Sequence, residues 1–153
     1  MEKLTTCLWF DGNAEEAVAF YTSIFKDAKI THVSRYGETG PGPNGKVMVV
    51  AFELNGQSFM ALNGGPQFKF TPAISLVVNC ETQQAIDHYW DGLIAGGAAQ
   101  QCGWLTDKYG LSWQIVPSKI GEWMKDAAKG QRVMAAVMKM VKLDIAELQR
   151  AAA

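Results

Sequence analysis

The chain has 153 residues, 48% apolar and 19% charged, which is the make-up of one globular domain that buries its own core and not of a disordered or fibrous chain. Fourteen Lys+Arg against fifteen Asp+Glu leave a formal net charge of -1, so no global positive field exists to hold a phosphate backbone and nucleic acid is excluded as an expected partner. The longest apolar runs, residues 47–52 and 74–78, fall far short of the roughly 20 residues that span a bilayer, so no membrane partner is expected.

Residues 3–10 alternate as a strand, and the start of the chain shows neither a basic flank nor a small-residue cleavage site, so a cytoplasmic protein is expected. A helix follows. Asn13 and Glu16 stand at capping-box spacing, and Val18, Tyr21 and Phe25 recur with helical period. Three strands come next, at 29–36, 47–54 and 58–62, the last two joined by Asn55-Gly56, a hairpin signal that calls for positive φ. Residues 37–45, GETGPGPNG, read as a loop, and the stretch from Gly64-Gly65-Pro66 to Thr71-Pro72 reads as a link.

Beyond the link the order repeats: a strand at 73–79, a helix that Thr82 can cap with Ile86, Tyr89 and Leu93 on its apolar face, and shorter strands at 98–104 and 111–116 around the turn 107–110. After Pro117 the periodicity is helical, at 120–124, 131–140 and 144–150, with Asp144 and Glu147 at capping-box spacing. Val133, Val137 and Val141 form an apolar row beside Met134 and Met138, a surface expected to serve either core packing or a homodimer.

The two halves also match residue by residue. FDGNAEEAVAFY, from Phe10 to Tyr21, answers VNCETQQAIDHY, from Val78 to Tyr89; LNGQSFMAL, from Leu54, answers KYGLSWQIV, from Lys108. The expectation is an α+β fold of two βαβββ modules forming a cleft, within a single domain of residues 1–153: module one at 1–65, module two at 71–117 and a C-terminal helical extension at 118–153.

Three cysteines, Cys7, Cys80 and Cys102, are an odd number without a C-x-x-C pair, which points to reduced thiols and away from a disulfide framework or a zinc knuckle. Only two histidines occur, His32 and His88, so chemistry needing several imidazoles is excluded by counting.

The paired pattern, with the segments FDGNAEEAVAFYTSIF and CGWLTDKYGLSWQIVPS, resembles the vicinal oxygen chelate superfamily, the glyoxalase, bleomycin-resistance and extradiol dioxygenase group. Within it the chain is similar to the PhnB-like branch, often labelled 3-demethylubiquinone methyltransferase, and the similarity runs from Leu4 to about Arg150. That resemblance implies a small-molecule cleft, frequently built around a divalent metal, and a dimer. Carried onto this chain, the superfamily's ligand positions fall at Thr5, Met60, Ala73 and Gln114. None offers an imidazole or a carboxylate, and a hydroxyl, a thioether, a methyl and one amide cannot offset the dehydration of zinc or iron. No metal and no cofactor are therefore expected.

Strand alternation places Thr5, Cys7 and Trp9 on one face with Ala73, Ser75 and Val77, and Ser112 with Gln114 likewise, while Leu8, Phe10, Trp113 and Ile115 turn toward the helices. The candidate ligand-binding residues are accordingly Thr5, Cys7, Trp9, Met60, Ala73, Ser75 and Gln114. Trp104 is a further aromatic candidate. His32, His88 and Cys7 have no partner in the sequence that would make them a base or a nucleophile. A methyltransferase domain of the Rossmann type needs a glycine-rich turn between a parallel strand and a helix, and no G-x-G-x-G segment is present; GLIAGG, at 92–97, ends a helix instead. The reading is a metal-independent protein that binds a small, partly aromatic or amphipathic molecule. The alternative is an enzyme of the superfamily, a lyase or a transferase.

Overall fold

The computed structural model describes residues Met1–Ala153, and the chain divides into two compact units, Met1–Phe70 and Thr71–Ala153. In the first, β1 (Thr6–Phe10) leads to α1 (Ala14–Ile24), then β2 (Ala28–Arg35), β3 (Val47–Leu54) and β4 (Gln57–Asn63). The sheet order is β1-β4-β3-β2, with β1 parallel to β4 and the other pairs antiparallel. Asn55 and Gly56 join β3 to β4 with φ of 48° and 84°, the left-handed backbone that a two-residue hairpin requires.

Register decides the two faces of this sheet. Leu8 stands opposite Ala61, and Phe52 opposite Phe59; with Phe10 and Val50 they are buried on the side of α1, whose Ala17, Val18, Tyr21 and Ile24 are buried too. The ring of Tyr21 stacks on Phe52 at 6.5 Å, and Phe52 on Phe59 at 5.3 Å. The opposite face carries Cys7 beside Met60 and Ala51, and Trp9 beside Leu62 and Val49. α1 leaves this face free, and the residues named on it remain at least partly exposed.

The helix begins where the sequence places it, but not through the expected cap. Asn13 makes no side-chain cap hydrogen bond; instead the amide of Ala14 donates to Oδ1 of Asn63, 49 residues away, at 2.9 Å. A tertiary partner has replaced the local one.

In the second unit, β5 (Ser75–Cys80), α2 (Gln83–Ile94), β6 (Ala98–Ala99), β7 (Trp104–Thr106) and β8 (Ser112–Pro117) form a sheet of order β5-β8-β7-β6, with β5 parallel to β8. Thr82 caps α2 by accepting from the amide of Ala85 at 3.1 Å. Each unit is thus a βαβββ module, and the fold is α+β with two four-stranded mixed sheets. The strand expected over 98–104 is broken in two. Cys102 and Gly103 take positive φ, and their amides donate to the carbonyls of Met140 and Val141 at 2.9 and 2.8 Å, so this backbone serves the C-terminal segment and not a ladder.

The helical segment comprises α3 (Ile120–Trp123), α4 (Ala127–Val137) and α5 (Ile145–Ala152). Asp126 caps α4 by accepting from Lys129 N at 2.8 Å, and Asp144 caps α5 by accepting from Glu147 N at 3.0 Å. Val133 and Val137 are buried with Trp123, Leu143, Leu148 and Ala152, while Val141, Met134 and Met138 stay exposed. Two of the three row valines are therefore core, which removes them as a dimer surface. Gln83 anchors the segment to α2: its Nε2 donates to Leu143 O at 3.0 Å and its Oε1 accepts from Ile145 N at 2.8 Å. No helix is long and apolar enough to cross a membrane.

Candidate functional site

A cleft of about 840 Å³ opens in the first unit where β1 ends, α1 starts and the 36–47 loop approaches β4. Its volume lies within the range of small-molecule sites. Trp9 and Leu62, neighbours in register on the helix-free face, form its apolar wall with Val47 and Met48. The indole of Trp9 is held in place, donating from Nε1 to the carbonyl of Gly65 at 2.9 Å, and the ring of Phe68 meets it edge-on at 4.8 Å. Gly64 lets the ring lie flat against the backbone: a Cβ built there would stand 2.4 Å from its Cε2 and Cζ2 atoms.

Asn63 organises the polar side. Besides receiving Ala14 N, its side-chain amide donates to Glu15 Oε1 at 2.8 Å and to Val47 O at 3.0 Å, and its own carbonyl accepts from the Tyr36 hydroxyl at 2.5 Å. One side chain thereby joins the helix start, the strand end and the mouth of the loop. Tyr36 is fixed a second way, because Gly40 and Gly42 pack on its ring, where a side chain on Gly42 would clash at 2.4 Å. Asp11, Lys46 and Gln67 also line the cleft and have no side-chain partner within the fold.

Of the residues proposed from sequence, Trp9 lines this cleft. Cys7 and Met60 are register partners further along the same face. Thr5 precedes β1 and is exposed. Desolvation pushes the Cys7 thiol up, the opposite of what an activated thiolate needs; buried Cys80 is pushed up to about 11 for the same reason. In the second unit, Gln114 and Ser75 meet on the helix-free face, Gln114 Nε2 donating to Ser75 Oγ at 2.9 Å, with Val77 and Trp104 as the register neighbours of Gln114. Ala73 sits in the turn before β5 and is exposed. Ser112, on that face too, is buried with a hydroxyl that has no hydrogen-bond partner. His32 is exposed on β2, and His88 is exposed with its ring edge-on to Tyr89 at 5.0 Å.

Asn63, Tyr36 and Glu15 were not among the sequence candidates. The only local signal was position: Asn63 directly precedes Gly64-Gly65-Pro66, and Tyr36 opens the glycine-proline loop. Trp113 is buried on the helix side, its Nε1 donating to Asp107 Oδ2 at 2.9 Å.

No three His, Cys, Asp or Glu side chains converge anywhere in the chain, and the four positions matched to metal ligands hold a hydroxyl, a thioether, a methyl and an amide. This set does not fit a tightly bound transition metal.

The sequence profile of the family described as 3-demethylubiquinone-9 3-methyltransferase matches residues 2–116. Among solved structures, a putative 3-demethylubiquinone-9 3-methyltransferase, the PhnB protein of Bacillus cereus, is 45% identical, with a TM-score of 0.68 over 75% of this chain and 99% of its own. A Pseudomonas aeruginosa protein at 19% identity superposes with a TM-score of 0.64 over 76% of this chain and 98% of its own. The fosfomycin resistance protein FosX of Listeria monocytogenes, crystallised with manganese(II) and sulfate, does so at 15% identity and 0.58, over 81% of this chain and 95% of its own. These last two share the fold. No curated protein matches the sequence. With its two βαβββ modules and this match over three quarters of its length, the chain belongs to the PhnB-like, 3-demethylubiquinone-9 3-methyltransferase family within the vicinal oxygen chelate superfamily.

Proposed function

We propose that this chain binds a small, partly aromatic or amphipathic molecule without the help of a metal ion. The cleft beside Trp9 carries the reading: a fixed indole and aliphatic wall face a few polar groups, the composition of a ligand pocket. Cys7 and Met60 extend the apolar wall, with Thr5 at its edge. In the second unit, taken by itself, the reading assigns contact with a ligand on its helix-free face to Ser75 and Gln114, with Ala73 beside them. Metal independence is supported by the donor set described above, in contrast to the manganese complex of FosX.

Methyl transfer is less well supported. Each sheet has one parallel pair and otherwise antiparallel ladders, so neither unit holds the doubly wound parallel sheet in which S-adenosylmethionine would find a glycine-rich turn. A homodimer belongs to the same proposal, with exposed Met134, Met138 and Val141 as apolar surface available for it. Three free cysteines are in keeping with a reducing compartment such as the cytoplasm.

The experiment is a thermal-shift screen of the full chain against aromatic and amphipathic compounds, run with chelator and repeated with added manganese or zinc. Ligands that bind the folded state raise its apparent stability by mass action. The expected result is a set of stabilising compounds whose effect is the same with chelator. Stabilisation that appears only with added metal would overturn metal independence, and no stabilising compound at all would overturn the binding reading.

A further inference from the structure

A second concavity, a groove of about 640 Å³, is lined by residues of α4 and α5, and two of them, Ala136 and Met140, pack against the helical core. The family profile ends at residue 116, so this helical segment is an addition to the family's common module. Its apolar floor is made by Ala135 and Ala136 of α4, Met140 just beyond α4 and Ala151 of α5. Around that floor stand Arg132, Lys139 and Arg150 against one carboxylate, Glu147. Among the lining side chains three cations stand to one anion, with Asp126 outside the lining but within reach of the Arg132 charge, in a chain whose formal net charge is -1.

These cations differ in what the fold asks of them. Arg132 is fixed, donating from Nε to Ala151 O at 2.9 Å and from Nη2 to Ala153 O at 3.2 Å, which sets its guanidinium at the groove before any ligand arrives. Lys139 and Arg150 form no ion pair; the two salt bridges of the structure are Lys29–Glu53 and Lys142–Asp87. The groove therefore presents one preorganised and two unpaired cations beside apolar surface. An inorganic anion would leave that floor bare, and an apolar molecule would gain nothing from the three cations, which are exposed to water.

We infer that the groove between α4 and α5 binds a small amphipathic anion, an organic carboxylate or phosphate ester whose apolar body lies on Ala135, Ala136 and Ala151. The charged group is held by Arg132, Lys139 and Arg150 through charge-assisted hydrogen bonds. Glu147 at the rim disfavours a second negative charge on the apolar end. This site is independent of the Trp9 cleft, and neither reading needs the other.

The test is amide chemical-shift mapping of the full chain titrated with octanoate, with octyl phosphate as the ester, and with inorganic phosphate and octylamine as controls. The expected result is saturable shifts for Ala135, Ala136 and Ala151 with octanoate or octyl phosphate. Octylamine should give none, and inorganic phosphate should bind at least about tenfold more weakly. Lys139→Met with Arg150→Met should weaken binding by about tenfold or more while keeping the melting temperature, since neither side chain holds the fold together. Ala135→Trp, at an exposed position, should block binding with all charges in place. Equal shifts with octylamine and octanoate, unchanged affinity in the double variant, or no saturable shift in the groove would each overturn the proposal.

Discussion

Asn63, the last residue of β4, donates its side-chain amide to Glu15 Oε1 at 2.8 Å while its Oδ1 receives the amide of Ala14 at 2.9 Å. The end of a strand thus supplies the cap that the helix lacks locally. Asn63→Leu removes these bonds and the one to Val47 O together, and a net loss of about 1–3 kcal/mol is expected, mostly from the bonds to buried Ala14 and Val47, since Glu15 is exposed. Chemical denaturation would check this. Because the side chain also ties the loop mouth to α1, ligand affinity in the Trp9 cleft should fall in the same variant; wild-type stability would refute the role given to Asn63.

Gly64 is expected to be intolerant of any side chain. Gly64→Ala puts a Cβ 2.4 Å from the Trp9 ring, so the indole must leave its place and its hydrogen bond to Gly65 O. The tryptophan emission should shift, and compounds from the thermal-shift screen should lose their effect. An unchanged spectrum with unchanged binding would mean that Trp9 is not the wall of the site.

Trp113 and Gln114 are adjacent but should behave as opposites. Trp113 is 2% exposed, with its indole bonded to Asp107, whose other oxygen receives the amides of Tyr109 and Leu111 at 2.9 and 3.1 Å. Trp113→Ala is expected to cost about 3–5 kcal/mol. Gln114→Leu should cost about 1 kcal/mol, because the Ser75 hydroxyl it leaves is only half-buried and can turn to water, yet it should weaken ligand binding roughly tenfold. Melting temperature and affinity for both variants decide the matter; the reverse outcome would invert the two faces of β8.

Acid should loosen the C-terminal segment at Asp87. Hydrogen bonds from Lys142, at 2.9 Å, and from Gln83 hold its carboxyl below the ordinary value of 3.8. A depressed carboxyl contributes stability above its unfolded pKa and loses it as pH falls through the folded one. The melting temperature of the native chain should therefore drop below about pH 4 more steeply than that of Asp87→Asn. Parallel curves for the two proteins would show that this contact adds nothing to acid stability.

Most of the element order was legible from sequence because its causes are local. Alternation fixes which side of β1 is buried, Asn55-Gly56 requires its hairpin, and Thr82 and Asp144 cap the helices they precede. The failures share one cause. The strand expected through Cys102 gave way because the amides of Cys102 and Gly103 find carbonyls at Met140 and Val141, and the Asn13 cap gave way to Asn63. In both, a backbone group was satisfied by a residue far along the chain.

The candidate site divides the same way. Sequence alone determined the repeated βαβββ order and the helix-free position of Trp9, since internal repetition and a period of two suffice for these. Only the tertiary structure decided that Asn63, Tyr36 and Glu15 stand with Trp9 around one cleft, and that Val133 and Val137 belong to the core. Side-chain hydrogen bonds spanning 27 to 49 residues set the first arrangement and the packing of α4 against α5 set the second; neither leaves a periodic trace in the sequence.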